Sequence, residues 1–242
     1  MVTYAMLSKK GAREINEDSL GYAKNELGLL LVLADGLGGH GQGEVASAVA
    51  VQATLLHYEK AAIKTDGLLP TCLDQANKAI VEEQSKQNLK NDLKTTLCIL
   101  HIQDSCASWL HVGDSRIYQF RKGKLIKKTL DHSVPQMLVA QGEIKESQIR
   151  FHEDRNRLLR VVGMSEKAPK YDMTQEVRID ATTSFLLCSD GFWEYLEEKE
   201  MIRLLKNASN PQEWIEKMEE IVMKRGQDKN MDNYSAIAVF IR

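Results

Sequence analysis

The sequence lacks several features that mark particular classes of protein. Its 32 Lys and Arg residues almost balance 34 Asp and Glu residues, for a net charge of −2, so no overall basic field exists to drive nucleic-acid or anionic-membrane binding. No apolar run approaches the ~18–20 residues of a membrane helix, and the first residues lack the apolar stretch and cleavage site of a signal peptide. We therefore expect no nucleic-acid partner and no membrane association.

Cysteine and proline are also scarce. The four cysteines form no C-x-x-C pair in a chain too long to need disulfides, which predicts reduced, buried thiols and a cytoplasmic location. With only four prolines and no Ser/Gly-rich tract, nothing indicates a linker between domains. The 242 residues, 43% of them apolar, suffice for a sizeable core. We predict a single domain over residues 1–242.

Short β-type runs bounded by turn residues dominate the pattern, with helical stretches at 44–63, 70–87 and 211–225. In the first helix the helical period places one set of residues near a common face: Val45, Ala48, Val49, Gln52, Leu55 and Leu56. The helices are too closely paired to act as single crossovers between parallel strands. The pattern therefore predicts an α+β layered fold rather than a doubly wound parallel sheet.

Acidic residues recur beside the β-type runs, usually next to a glycine. The positions are Glu17-Asp18, Asp35-Gly36, Gly113-Asp114, Asp190-Gly191 and Asp232. For any one of them a simple turn is the alternative, because Asp-Gly is a common turn dipeptide. Carboxylates that converge at sheet ends raise one another's pKa unless a cation neutralises them. An oxygen-rich cluster without thiolates suits Mg²⁺ or Mn²⁺, so together these residues predict a carboxylate metal site.

At these residues the sequence resembles the metal-dependent Ser/Thr protein phosphatases of the protein phosphatase 2C (PPM) family, in their compact bacterial form. The matching motifs run in family order from Arg13 to Asn233: R-E-I-N-E-D at 13–18, D-G-L-G-G-H-G-Q-G-E-V-A-S at 35–47, G-D-S-R-I-Y at 113–118, D-H-S at 131–133, R-N-R-L-L-R-V-V-G at 155–163, C-S-D-G-F-W at 188–193 and D-N-Y-S at 232–235. Seven motifs in register make a chance resemblance very improbable.

The resemblance implies a four-layer α-β-β-α sandwich, with two antiparallel sheets flanked by antiparallel helix pairs. It also implies hydrolysis of phosphoserine and phosphothreonine by a water held between two Mn²⁺ or Mg²⁺ ions, with a possible third ion. The implied partners are phosphoprotein substrates and a cognate Ser/Thr kinase pathway, and we expect a monomer.

The resemblance further assigns metal-site roles to individual residues. Asp35 would bridge two ions, the Gly36 carbonyl would bind the second ion, and Asp190 with Asp232 would complete the ligands of the first. Glu17 and Asp18 would hold metal-bound waters. Asp114 would help Asp190 to hold a third ion, or would only order its turn.

Other residues act on the substrate in this family. Arg13 would grip the substrate phosphate through its guanidinium fork; an ordinary exposed arginine is the alternative. His40 is a candidate general acid, or it only shapes the glycine-rich loop. We interpret His132 as structural, and residues 133–156 as the flap beside the active site.

Two rival functions differ from an active protein phosphatase. One is a catalytically silent pseudophosphatase used as a binding module, which the retention of Asp35, Gly36, Asp190 and Asp232 disfavours. The other is a phosphatase for small phosphate esters, which the sequence alone does not separate from the leading interpretation.

Overall fold

Groups of strands and groups of helices follow one another along the chain in the computed structural model, which describes residues 1–37, 42–61, 67–89, 92–227 and 229–242. The strands are β1 (Val2–Lys9), β2 (Asp18–Asn25), β3 (Gly28–Leu37), β4 (Lys94–Thr95), β5 (Leu97–Gln103), β6 (Cys106–Val112), β7 (Arg116–Arg121), β8 (Lys124–Lys128), β9 (Asp172–Arg178), β10 (Thr183–Cys188) and β11 (Tyr234–Ile241). The helices are α1 (Gln42–Lys60), α2 (Leu68–Lys86), α3 (Val134–Gln141), α4 (Asp190–Trp193), α5 (Glu198–Asn207) and α6 (Pro211–Gly226), with a 3-10 turn at Glu146–Phe151.

The strands form two antiparallel sheets. One has the order β1-β11-β10-β7-β8, and the other has the order β2-β3-β5-β6-β9 with the short β4 pairing to β3. The predicted β-type runs correspond to these strands, although some of them extend one or two residues beyond the end of a strand. Both sheets thus bring distant parts of the chain side by side.

Three apolar clusters separate four layers. Alternate residues of β3 point to opposite sides: Leu31 and Leu33 pack between the two sheets, while Leu30 and Val32 pack toward α1 and α2. Burial on both faces explains why β3 is a continuous apolar run, and Asp35 lies near the end of that run. A third cluster around Trp214 joins the other sheet to α4, α5 and α6. The predicted four-layer α-β-β-α sandwich is confirmed.

The predicted face of α1 is wrong. The residues that α1 buries are mostly small: Gly43, Ala46, Ser47, Ala50, Val51, Thr54 and Tyr58. Val45, Val49 and Leu55 are only partly buried beside this face, and Leu56 is 45% exposed. Because α1 packs closely on β2 and β3, the residues at the contact are small. A prediction based on hydrophobicity therefore chose the larger apolar residues on the neighbouring face.

The sequence pattern also missed α3, α4 and α5, which are short. The first lies inside the predicted flap, where Ser133 caps its N-terminus by accepting a hydrogen bond from the Gln136 N–H. All four cysteines are free thiols, and three of them are buried. Among the described residues, no helix is long and apolar enough to cross a membrane.

Candidate metal centre

An acidic cavity of about 470 Å³ opens at one end of the two sheets. It is lined by Arg13, Glu14, Ile15, Glu17, Asp35, Gly36, Leu37, Asp114, Asn156, Leu158, Asp190, Asp232 and Asn233. The structure therefore places seven of the predicted site residues around one space, while Asp18 is buried beside it. His40, the candidate general acid, lies outside the described residues.

Asp35 is fixed by its backbone near the end of β3. Its N–H donates to Thr96 Oγ1 at 2.9 Å, and its carbonyl accepts from the Thr96 N–H and from Thr95 Oγ1, both at 2.8 Å. The two threonines are about sixty residues away in sequence, so no local pattern announces them. They hold the backbone of Asp35 while its carboxylate lines the cavity.

Gly36 lies where the end of β3 meets the start of α1. Its N–H donates to the Glu17 carbonyl at 3.0 Å, and a Cβ on Gly36 would lie 2.0 Å from the Gly43 carbonyl oxygen. Only glycine allows the two backbone segments to approach so closely. This contact sets the position of the Gly36 carbonyl, the predicted ligand of the second ion.

Asp18 pairs with Asp35 across β2 and β3 and is buried. Its Oδ2 accepts a hydrogen bond from Ser189 Oγ at 2.8 Å, but its buried Oδ1 has no hydrogen-bond partner among the described residues. An unpaired buried acceptor is unfavourable. A hydrated cation in the cavity would satisfy this oxygen, as the prediction for Asp18 requires.

Asn233 joins the segments that carry the acids, although the sequence analysis did not select it. Its Oδ1 accepts from the Glu17 N–H at 2.8 Å, and its Nδ2 donates to the carbonyls of Lys10 and Ile15, each at 2.9 Å. The sequence feature that could have identified Asn233 is its position directly after Asp232, within the D-N-Y-S motif. Its partners could not be read from spacing because they lie more than two hundred residues away.

Arg13 and Asp232 form an ion pair at the cavity wall, with Arg13 Nη2 donating to Asp232 Oδ2 at 2.9 Å. Both side chains are partly exposed. A guanidinium has five N–H donors, so this single bond leaves other donors for a bound oxyanion. The pairing places the predicted phosphate-binding residue beside a predicted metal ligand.

Asp114 and Asp190 reach the cavity from different segments. Asp114 follows β6 and is 4% exposed, and its carbonyl accepts from Trp193 Nε1 at 3.0 Å. Asp190 begins α4, which ends at that same Trp193. The indole therefore ties the turn that carries Asp114 to the helix that carries Asp190.

Burial and mutual repulsion raise the pKa values of these acids. The pKa values of Asp35 and Asp190 lie well above the usual range because both are desolvated and surrounded by other carboxylates of the site. Burial raises the pKa of Asp18 to about 7, and burial with the Asp131 charge raises that of Asp114 to about 7. Such a cluster of acids is unfavourable when ionised, and a bound dication would remove most of that penalty.

The acids are spaced for hydrated ions rather than for a tight all-protein cage. Among the described residues, three potential ligand atoms lie within 4.8 Å of one another in the set His111, His132 and Asp172. This set lies outside the cavity, so no three of the cavity acids are spaced as closely. Mg²⁺ and its analogues keep several waters and need only one or two carboxylates each. The donor set of the cavity thus fits such ions, with water supplying further ligands.

Comparison with known proteins agrees with this fold. The family model described as protein phosphatase 2C matches residues 8–233. The chain belongs to the protein phosphatase 2C family. The serine/threonine phosphatase stp of Listeria welshimeri is 32% identical over 233 residues, covering 94% of this chain and 90% of the relative.

Two solved structures of serine/threonine phosphatases superpose on almost the whole chain. The Mycobacterium tuberculosis serine/threonine phosphatase PstP/Ppp has a TM-score of 0.86 at 29% identity, covering 100% of this chain and 99% of that one. The catalytic domain of the phosphatase PstP in complex with two manganese ions has a TM-score of 0.81 at 28% identity, covering 99% and 97% of the two chains.

Proposed function

We propose that this protein is a metal-dependent phosphatase that hydrolyses phosphoserine and phosphothreonine in proteins. The observation that carries the proposal is one cavity that is lined both by the acids Asp35, Asp114, Asp190 and Asp232 and by Arg13. Membership of the protein phosphatase 2C family and the two manganese ions bound by the related PstP catalytic domain support it.

One group of residues would bind the cations, and Arg13 would bind the phosphate. Asp35, the Gly36 carbonyl, Asp190 and Asp232 would hold two Mn²⁺ or Mg²⁺ ions, with Glu17 and Asp18 holding their waters and Asp114 serving a third ion. Two bound ions of this kind supply Lewis acidity, which lowers the pKa of water and stabilises charge on a phosphoryl group. Among the described residues, no three of these acids have ligand atoms all within 4.8 Å of one another, so water would supply the further ligands of such ions.

Arg13 would orient the phosphate. Its charge persists at any working pH, and its planar fork can donate to two phosphate oxygens at once. Asp232 accepts from Nη2 and so holds the guanidinium at the cavity wall. We propose that phosphate binds to the remaining donors of Arg13.

Several wider features remain proposals. The chain would act as a single catalytic domain over residues 1–242, with residues 133–156 as a flap that influences substrate choice. We further propose a monomer that reverses a cognate Ser/Thr kinase in the cytoplasm. The free thiols of the four cysteines support a reducing compartment.

Metal-stimulated hydrolysis of a phosphothreonine peptide tests the proposal. The wild-type chain should release phosphate with Mn²⁺ and not with EDTA, and Asp190→Ala should lose at least about 10²-fold in kcat/KM because it removes a metal ligand. Asp74→Ala is the control, since Asp74 is an exposed acid on α2 and does not line the cavity. If the wild-type chain shows no metal-stimulated turnover, the protein is a binding module instead; faster turnover of sugar phosphates would favour small esters.

A further inference from the structure

In the turn that presents Asp114, the backbone of Gly113 is hydrogen-bonded to one residue of another segment, His132. The N–H of Gly113 donates to His132 Nδ1 at 3.1 Å, and the N–H of His132 donates to the Gly113 carbonyl at 2.9 Å. Gly113 has a φ of +102° and directly precedes Asp114. Both polar backbone groups of this glycine therefore end on His132.

These contacts determine where the imidazole carries its proton. A backbone N–H can only donate, so His132 Nδ1 must be an acceptor and the proton of the neutral ring lies on Nε2. Asp172 Oδ2 lies 3.4 Å from Nε2 and faces that proton. Arg160 Nη1 also lies 3.1 Å from Nε2, but a guanidinium can only donate, so with the proton on Nε2 this contact is not a hydrogen bond. Nη1 has a second acceptor in Asp172 Oδ1 at 3.4 Å, whereas the Gly113 N–H has no acceptor but His132 Nδ1 among the described residues, which decides between the two tautomers.

With its proton on Nε2, His132 cannot use that nitrogen as a metal ligand, so His111, His132 and Asp172 do not form a metal site. His111 stacks on His132 with ring centroids 4.6 Å apart, and Asp172 completes a set with metal-like spacing. A ring nitrogen that carries a proton cannot coordinate a cation, and Nε2 of His132 is that nitrogen. The cluster is therefore a hydrogen-bonded support. Burial lowers the pKa of His132 to about 4, which keeps the ring neutral.

The turn is confined on its other side by Thr96. A Cβ on Gly113 would lie 2.6 Å from Thr96 Cγ2, and Thr96 Oγ1 lies 2.8 Å from Ser115 Oγ. The same threonine accepts the hydrogen bond from the Asp35 N–H. Because the turn lies between His132 and a residue that also fixes Asp35, movement at His132 would change the relative placement of the two acids.

We propose that His132 is a positioning residue: its Nε2-protonated imidazole, oriented by Asp172, clamps Gly113 and thereby fixes the direction in which Asp114 enters the metal cavity. The inference rests on the proposed function, in which Asp114 holds a cation. It assigns to the D-H-S segment a role in metal binding that is exerted through the backbone of a neighbouring turn.

Manganese binding measured by isothermal titration calorimetry tests this inference without recourse to activity. His132→Leu removes the acceptor at similar volume, whereas His132→Asn retains an amide oxygen that can accept from Gly113. We expect His132→Leu and Asp114→Asn each to weaken one Mn²⁺ site by about tenfold or more, the order found when a supporting partner of a metal ligand is lost. His132→Asn should remain within about threefold of the wild type.

The double variant His132→Leu/Asp114→Asn separates positioning from a general structural role. If His132 acts through Asp114, the double variant binds Mn²⁺ as Asp114→Asn alone does. Additive losses, or wild-type Mn²⁺ binding by a folded His132→Leu chain, would overturn the inference and leave the proposed function standing. Should Asp114→Asn bind Mn²⁺ as the wild type does, the inference fails with the role of Asp114. A wild-type chain that binds no Mn²⁺ would overturn both proposals.

Nitrogen-15 NMR of the wild-type chain provides a readout that needs no variant to fold. The ring of His132 should show a protonated Nε2 and an unprotonated Nδ1 at neutral pH. The opposite tautomer would contradict the hydrogen bond from Gly113 and would overturn the inference.

Discussion

Arg13 combines a partly exposed position with a specific contact, so its replacement should affect binding more than stability. Arg13→Lys keeps the charge but loses the planar fork, and we expect kcat/KM on a phosphothreonine peptide to fall about 10- to 100-fold. The free energy of unfolding should change by less than about 1 kcal/mol, because the ion pair with Asp232 is partly exposed. Arg121→Lys is a matched control, since Arg121 pairs with Asp180 at similar exposure. Equal loss in both variants would contradict a phosphate-binding role.

Asp18 allows the electrostatic penalty of the metal-free site to be measured at one residue. Its pKa is raised from 3.8 to about 7 in the folded chain, so the folded state binds more protons than the unfolded state between these values. Stability from this group is therefore lost as pH rises from about 4 to about 7. With EDTA present, Asp18→Asn should raise the melting temperature at pH 8 and leave it nearly unchanged at pH 4. A larger gain at the lower pH would contradict the raised pKa.

At the scale of elements, the junction between β3 and α1 depends on a close backbone contact. A Cβ on Gly36 would lie 2.0 Å from the Gly43 carbonyl, so Gly36→Ala should destabilise the protein by about 1–3 kcal/mol through overpacking. It should also weaken Mn²⁺ binding, since the Gly36 carbonyl must move. Gly67→Ala is the control, because its Cβ would meet nothing closer than Thr71 Oγ1 at 3.7 Å. Denaturant unfolding and Mn²⁺ titration of both variants check this expectation.

The elements show what the sequence could and could not predict. Apolar runs predicted the strands because burial on both faces of β3 requires them. The motifs predicted which acids meet at the cavity, since each acid lies at or beside the end of a strand. The hydrogen bonds that hold these acids could not be predicted, because the partners are far apart in sequence. Thr96 is 61 residues from Asp35, and Asn233 is 216 residues from Glu17. The buried face of α1 was mispredicted because packing distance, which has no sequence period, favours small residues there.

At the scale of the whole molecule, a net charge of −2 conceals a local concentration of buried acids. The pKa values of Asp35 and Asp190 are raised because both side chains are buried and because other carboxylates surround them. Elsewhere, oppositely charged side chains pair with one another, as in the buried pair between Arg116 and Asp131. The metal-free fold therefore carries a penalty that is confined to one cavity.

Manganese should accordingly stabilise the whole fold in a manner that depends on pH. At pH 5 Asp18 and Asp114, whose pKa values lie near 7, are protonated in the folded chain, so protons compete with the cation. As pH rises through 7 these groups ionise, the metal-free fold weakens, and Mn²⁺ binds more tightly. The rise in melting temperature caused by a fixed excess of Mn²⁺ should therefore be larger at pH 8 than at pH 5. EDTA should abolish it, and Asp190→Ala should reduce it at both pH values. An increase that is the same at both pH values would show that the ions bind elsewhere than among these acids.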